Sequence, residues 1–494
     1  MRIFRYSSRA VATAAFLAVT VPAIGCDKVK TSLLEAPDPD IINPSNVQSA
    51  AGAIAVRNGA LSRLRIATAD CTGGCGSGNE SSWIFGGLLA DEYSSSSTFV
   101  QNDETDQRRI QTNNGTVNQA LRYLYRVRTS ANQAIALLQK YRPSPAADIG
   151  EMYFARGFAE LQLASDFCNG IPLTDGAGDA IAYGQPLPVK DVFGVAVASF
   201  DSALQFSAAA LAKTKADTAA ALIIENASRI GKARALLGMG LDNAAAAAAL
   251  VKSVPTTFRY DATASLTGGN NNNWGQTTSQ ARTVIGDSLS PSRALLIKNA
   301  IPFVSANDPR VPAKYKIASN GKDTVKAQDG NTLVVTADAL WGQTSAVAIV
   351  HGVDARLIEA EAALKAGQPA QMLSTLNALR ATPIQITAPS PTATGTHPGY
   401  TTPVMPALTD PGSQRAREDL LFREAAFWQF GRGVRLGNLR RLIRDYGRAP
   451  DGSDTFPVGQ HYKGGTYGTD LNLPVTTDEQ VGNPEFQGCL DRKA

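Results

Sequence analysis

Apolar residues in this chain recur mostly at helical spacing. Over residues 117–141, Leu121, Leu124, Val127, Ala131, Ile135 and Leu138 follow at three- and four-residue steps, which predicts an amphipathic helix. Pro143 and Pro145 end it. Met152, Phe154, Ala155, Phe158, Ala159 and Leu163 then mark a returning helix over 146–167, so the two form an antiparallel hairpin. A second hairpin is predicted over 224–254, with its turn near Gly238 and Gly240, a poly-alanine second helix, and Pro255 after it. A third is predicted over 347–379, turning at Gly367.

Small residues in the first helix, glycine at the turn and alanine in the second let paired helices approach closely, as tetratricopeptide-like pairs require. Any helical bundle remains the alternative. Such pairs stack into a scaffold whose curved surface binds a partner. Between the helical blocks run stretches rich in Gly, Asn, Ser, Thr and Pro, at 70–116, 260–290 and 382–414. Long irregular loops within a domain are commonly functional. Residues 314–337 carry Asn320-Gly321 and Asp329-Gly330 between β-favouring runs, which predicts a small β-hairpin.

The N-terminus reads differently. Arg2, Arg5 and Arg9 precede an apolar run to Gly25, and Cys26 follows Val21-Pro22-Ala23-Ile24-Gly25. A basic start, an apolar stretch and small residues before a cysteine predict a lipoprotein signal peptide over 1–25, with lipidation at Cys26. A plain secretory signal or a membrane span is the alternative, but Thr13, Thr20 and Pro22 interrupt a run already short of the roughly 20 apolar residues a span needs. No later segment reads as apolar enough to span. Two or more acyl chains at Cys26 would anchor the protein durably, where one would not. Residues 26–47, with Pro37, Pro39 and Pro44, read as a tether, and 48–494 as the folded domain.

Charge and chemistry narrow the function. The formal charge is +4, and it falls to +1 without the three signal arginines. That is no basis for binding nucleic acid. Cleavage leaves Cys71, Cys75, Cys168 and Cys489, an even set in an oxidising compartment, so two disulfides are expected. Cys71 and Cys75 bracket a short loop able to close on itself, which leaves Cys168 for Cys489. No metal site is expected, since His351, His397 and His461 are scattered. The chain lacks HExxH, GxSxG and a phosphate-cradling GxxxxGK; Gly231-Lys232 has Asn226 where that loop needs its first glycine. Glu359 and Glu361 are too close along a helix to face each other as a catalytic pair. The reading is a binder, not an enzyme, with no cofactor.

Several segments together resemble the SusD/RagB family of outer-membrane nutrient-binding lipoproteins. They are Gly150 to Leu173 (GEMYFARGFAELQLASDFCNGIPL), Asp308-Pro309-Arg310, Ile358 to Gly367 (IEAEAALKAG) with Leu376 to Arg380 (LNALR), Arg417 to Arg441, and Leu473 to Phe486 (LPVTTDEQVGNPEF). Their order runs from near the anchor to the C-terminus. Asn438 stands where the family usually has aspartate before Leu-Arg-Arg, and Asp27 is the residue that retains lipoproteins at the inner membrane in some bacteria.

The resemblance implies a mostly α fold, with four tetratricopeptide-like helix pairs as scaffold and a loop-rich ligand-binding part over about 260–345 and 382–414. It implies nutrient binding, of a glycan or less commonly a peptide, and delivery to a TonB-dependent transporter of the SusC type in the outer membrane. Aromatic rings stack on sugar faces, and the loops hold Trp83, Tyr93, Trp274 and Trp341 as candidate ligand contacts, with Trp274, after the Asn270 to Asn273 run, foremost. Trp428, on the apolar face of the late helix with Phe422, Phe427 and Phe430, is assigned to the core. Arg423, Arg435, Arg440 and Arg441 are assigned to ion pairs and helix C-terminal ends. The rival reading is an envelope scaffold lipoprotein that docks proteins and binds no nutrient.

Overall fold

The computed structural model describes residues 47–71, 81–177, 181–212, 218–278 and 280–494. Cys26, the export segment, nearly all of the tether, Cys75 and the side chain of Cys71 lie outside them, and with them the expected Cys71–Cys75 bridge.

The helices come in the order α1 (Ala50–Thr68), α2 (Ser82–Leu89), α3 (Val100–Asp106), α4 (Gly115–Tyr141), α5 (Ala146–Asp166), α6 (Val189–Leu211), α7 (Thr218–Met239) and α8 (Ala244–Val251), then α9 (Asn272–Gly275), α10 (Gly352–Lys365), α11 (Pro369–Ala381), α12 (Gln414–Trp428), α13 (Arg435–Tyr446) and α14 (Thr477–Gly482). The predicted apolar face of α4 is buried at Leu121, Leu124, Val127, Ala131, Ile135 and Leu138. Asn114 caps this helix, its Oδ1 accepting from the N–H of Thr116 and of Val117.

A continuous stack results. α4 packs on α1 and α5, α5 on α6, α6 on α7, α7 on α8, α8 on α10, and α10 on α11. What sets its spacing is visible between α6 and α7, where Phe193 and Phe200 point at Gly238 and Gly231. A Cβ at either glycine would lie 2.5 Å from the facing ring, so only glycine admits this approach. α6 also corrects the reading that nothing beyond the signal is apolar enough to span: it is long and apolar enough by length and composition. Its apolar residues serve the protein core instead, with Val192, Phe193, Ala196, Phe200 and Ala203 buried between neighbouring helices.

The hairpins α4/α5, α7/α8 and α10/α11 are those the periodicity predicts, with one shift. Residues 347–351 are not helical: Val347–His351 is a strand, antiparallel to Arg259–Ala262. Three β-branched residues in five favour that state, and His351 starts α10 by accepting from the Val353 N–H, while Asp354 accepts from the N–H of His351. At the other end Gly367 turns the chain at φ +71°.

The irregular stretches are more ordered than their composition suggests. Within 70–116, α2 is buried along its whole length, and Tyr93–Ser95 pairs with Thr283–Ile285. Eight residues are too few to display a helical period, which is why α2 escapes the pattern. Residues 382–414 form two small ribbons, Gln385–Thr387 with Tyr400–Thr401 and Ser390–Thr392 with Gly395–His397. The predicted hairpin over 314–337 is present as Lys314–Tyr315 against Val335–Thr336, with inner turns whose Gly321 and Gly330 have φ +72° and +67°.

Beneath these ribbons lies a second core, separate from that of the helix stack, built on Ile84, Tyr93, Phe303, Trp341, Phe427 and Phe430. Residues Ser49–Ala494 form one compact unit. Its C-terminal segment is tied back to the end of α5 by the Cys168–Cys489 disulfide and by a bridge between Phe167 and Leu473.

Candidate ligand-binding face

Trp274 sits on α9, a single turn capped by Asn271, whose Oδ1 accepts from the Trp274 N–H at 3.2 Å. The asparagines around it fasten this turn to the body. Asn271 donates to the Ser345 carbonyl at 2.8 Å, and Asn273 accepts from the Tyr93 hydroxyl at 2.9 Å while donating to the Gly431 carbonyl at 3.0 Å. Asn271, Asn272 and Asn273 are buried. A polar run that reads as a solvated loop is therefore an internal hydrogen-bonded clamp, because buried amide groups must find partners.

The other three aromatic candidates are inside. Trp83 is 1% exposed, Tyr93 0% and Trp341 3%. Trp341 stacks on Phe430 at 5.7 Å, and Tyr93 packs against the same ring at 5.9 Å. Trp83 fills the space over Gly433, which has φ +63° and where a Cβ would lie 2.0 Å from the indole. The cavity beside Trp341 has a volume of 20 Å³, about one water, so no sugar ring enters there. Hence Trp83, Tyr93 and Trp341 pack the loops onto the scaffold, and Trp274 alone of the four is only partly buried. Tyr315 and Tyr400 share its position at the rim of the second core, both partly buried. Sequence reading passed over them, although each lies in a short strand beside a turn.

The charged residues of the quoted motifs find one another. Arg310 grips Asp308 (2.8 and 2.7 Å) and Glu424 (2.7 and 3.0 Å), and Arg380 reaches the same Glu424 at 2.9 Å. Arg432 holds Asp354 with two bonds, 3.0 and 2.6 Å, and Arg441 pairs with Glu361. Burial alone would raise the Asp354 carboxyl, yet Arg432 outweighs it and holds the group down at about 2. Arg440 donates to the carbonyls of Ala164, Ser165 and Phe167 at the C-terminal end of α5, and Arg435 to that of Ala90 after α2. A cation at a helix C-terminus also meets its dipole, a gain of about 0.3–1 kcal/mol, rising to ~2 where partly buried. These groups hold the late helices to the scaffold. Trp428, 4% exposed, lies under the Arg310 guanidinium, 5.3 Å from its carbon, so its place is in the core.

Among the described residues no group of three or more His, Cys, Asp or Glu side chains is placed to hold a metal ion. What the second core offers at its edge is aromatic: Trp274, Tyr315 and Tyr400 are each partly buried against it.

No protein-family model matches the sequence, and no curated protein matches it. The folded chain is similar to several solved structures. One is a SusD superfamily protein from Bacteroides thetaiotaomicron, at TM-score 0.58 and 13% identity, over 90% of this chain and 100% of that one. Another, from Bacteroides fragilis, matches at TM-score 0.56 and 16% identity over 89% and 99%. A third, described as a SusD-like carbohydrate binding protein from Bacteroides vulgatus, matches at TM-score 0.52 and 13% identity over 89% and 97%. The mostly α architecture, with a helix stack carrying a loop-built second core, is thus that of the SusD superfamily structures, and the fold of this chain is the SusD fold.

Proposed function

We propose that this protein binds a glycan at its loop-built face and passes it to a TonB-dependent, SusC-like outer-membrane transporter, held to the outer membrane by a lipid on Cys26. The observation that carries the reading is the fold likeness over nearly the whole chain, which includes a Bacteroides vulgatus structure described as carbohydrate binding. The cysteine after small residues at the end of the export segment supplies the anchor, and a lipid tether would keep the binding face beside the transporter at high effective concentration. Trp274 is the stacking residue in this reading, with Tyr315 and Tyr400 beside the same core.

Affinity electrophoresis on polysaccharide gels tests it. Stacking that removes about 100 Å² of apolar surface from water gives about 2.5 kcal/mol, so Trp274→Ala should weaken retention about 10- to 60-fold without lowering Tm much. If no member of a broad polysaccharide panel retards the protein, and it captures envelope assembly proteins instead, the scaffold reading replaces this one.

A further inference from the structure

Helices α5, α7, α10, α12 and α13 converge on a cavity of 60 Å³ that lies within the helical scaffold and is lined by none of the rim aromatics. Its volume holds about four waters, or one small polyatomic ion. Arg234 from α7 and Arg440 from α13 both line it, together with the acids Asp354 and Glu361.

The acids are already taken. Asp354 accepts two bonds from Arg432 and one from Gln429 at 3.0 Å, and Glu361 is held by Arg441 and by the Tyr446 hydroxyl at 2.5 Å. Arg440 spends only its Nη1 on carbonyls: its Nε and Nη2 are buried with no hydrogen-bond partner. The Nη1 of Arg234 is buried and unpartnered too; the Phe158 ring lies 6.0 Å from the guanidinium carbon, and Asp354, already bonded to Arg432, is the main counter-charge it feels. Each of these arginines also feels a second guanidinium, Arg432 near Arg234 and the exposed Arg444 near Arg440. Burial lowers Arg234 to about 10 against the pull of Asp354, and Arg440 to about 9 against that of Asp166. Asp166 does not repair the deficit, because burial raises its carboxyl to about 7 and its one bonded oxygen serves Gln162.

Unmet guanidinium N–H groups in a small cavity with spare positive charge call for an acceptor with several oxygens, since a planar donor fork matches an oxyanion better than a single-atom ion. We propose that this cavity binds one small oxyanion (phosphate, sulfate or a carboxylate), with Arg234 and Arg440 as its ligands, and that occupancy fastens α13 to α5 and α7.

Thermal unfolding of the folded chain in phosphate, sulfate, acetate and chloride at matched ionic strength and pH reads this out. A ligand at ten times its Kd should raise Tm by about 1.5 °C in a chain of this size, and at a hundred times by about 3 °C, growing with the logarithm of its concentration. A rise in phosphate or sulfate assigns an inorganic ion, and one confined to acetate assigns a carboxylate. Arg234→Gln should abolish the rise and also lift Tm in chloride, because it removes a buried cation that shares its counter-charge Asp354 with Arg432. Arg234→Lys, which keeps the charge but loses the fork, should weaken the rise without that lift, and it serves if the glutamine variant does not fold. Three results overturn the proposal. They are no anion dependence in the parent, an equal rise in parent and Arg234→Gln, which marks general salt exclusion, and a Tm loss in Arg234→Gln that is the same in every anion.

Discussion

Glu92 is shut away from water at 1% exposure, beside the buried Asp91 and Arg435. One of its oxygens accepts from the Gly431 N–H at 3.2 Å, and the other has no partner. Burial raises its carboxyl to about 7, with Arg435 pulling the other way. A folded-state value above the ordinary one means the native state keeps a proton that the unfolded chain has released, so stability falls as pH rises from about 4.5 to about 7 and then levels off. Denaturant unfolding at pH 5 and pH 8 should show that fall, and Glu92→Gln, neutral at both, should remove a share of the order of 3 kcal/mol. Asp166, raised for the same reason, leaves a residual slope in the variant. An unchanged slope in Glu92→Gln would assign the whole effect elsewhere.

Between elements, the decisive contacts are buried ion pairs on α12 and α13. Glu424 on α12 is met by Arg310 from a loop and by Arg380 from α11, all three largely out of water. Breaking such a group from one side leaves charges buried and unpaired, at a cost of about 3–5 kcal/mol, whereas exposed pairs contribute ~1 kcal/mol at most. Glu424→Gln should therefore lower Tm by about 3–5 °C in a chain of this size. Arg415→Ala, which loses only the exposed pair with Asp454, should change it by about 1 °C or less. Comparable losses in the two variants would contradict the burial argument. The motif residues that carried the family resemblance thus mark the joints of the fold, and this explains why they point to architecture more directly than to a ligand.

At the scale of the whole molecule, the disulfide joins residues 321 positions apart and pins the C-terminal segment to the end of α5. Long closed loops restrict the unfolded chain most, and loss of a native disulfide typically costs about 2–5 kcal/mol. A Cys168→Ser, Cys489→Ser double variant should shift the urea midpoint down by that much stability while far-UV circular dichroism stays native. An unchanged midpoint would mean the C-terminal contacts hold without the bond.

Helical pairing was legible in the chain because periodicity at three and four residues is a local property, and glycine at 238, 240 and 367 announced the turns. The hairpin at 314–337 was legible for the same reason, through Asn-Gly and Asp-Gly. The residues 347–351 and α2 were not: a short apolar run carries no period, and only pairing with Arg259–Ala262 or burial among neighbours selects its state. Nor does a sequence say how deep an aromatic lies. Trp83, Tyr93, Trp274 and Trp341 look alike in polar loops, and their different burial is settled by contacts such as Gly433 under Trp83, 350 residues away in the chain. The sequence by itself determined the helical pairs and their turns, because those depend on neighbours in the chain. Tertiary structure alone decided which rings are buried and which arginines share a counter-charge, since burial and pairing are properties of distant residues brought together.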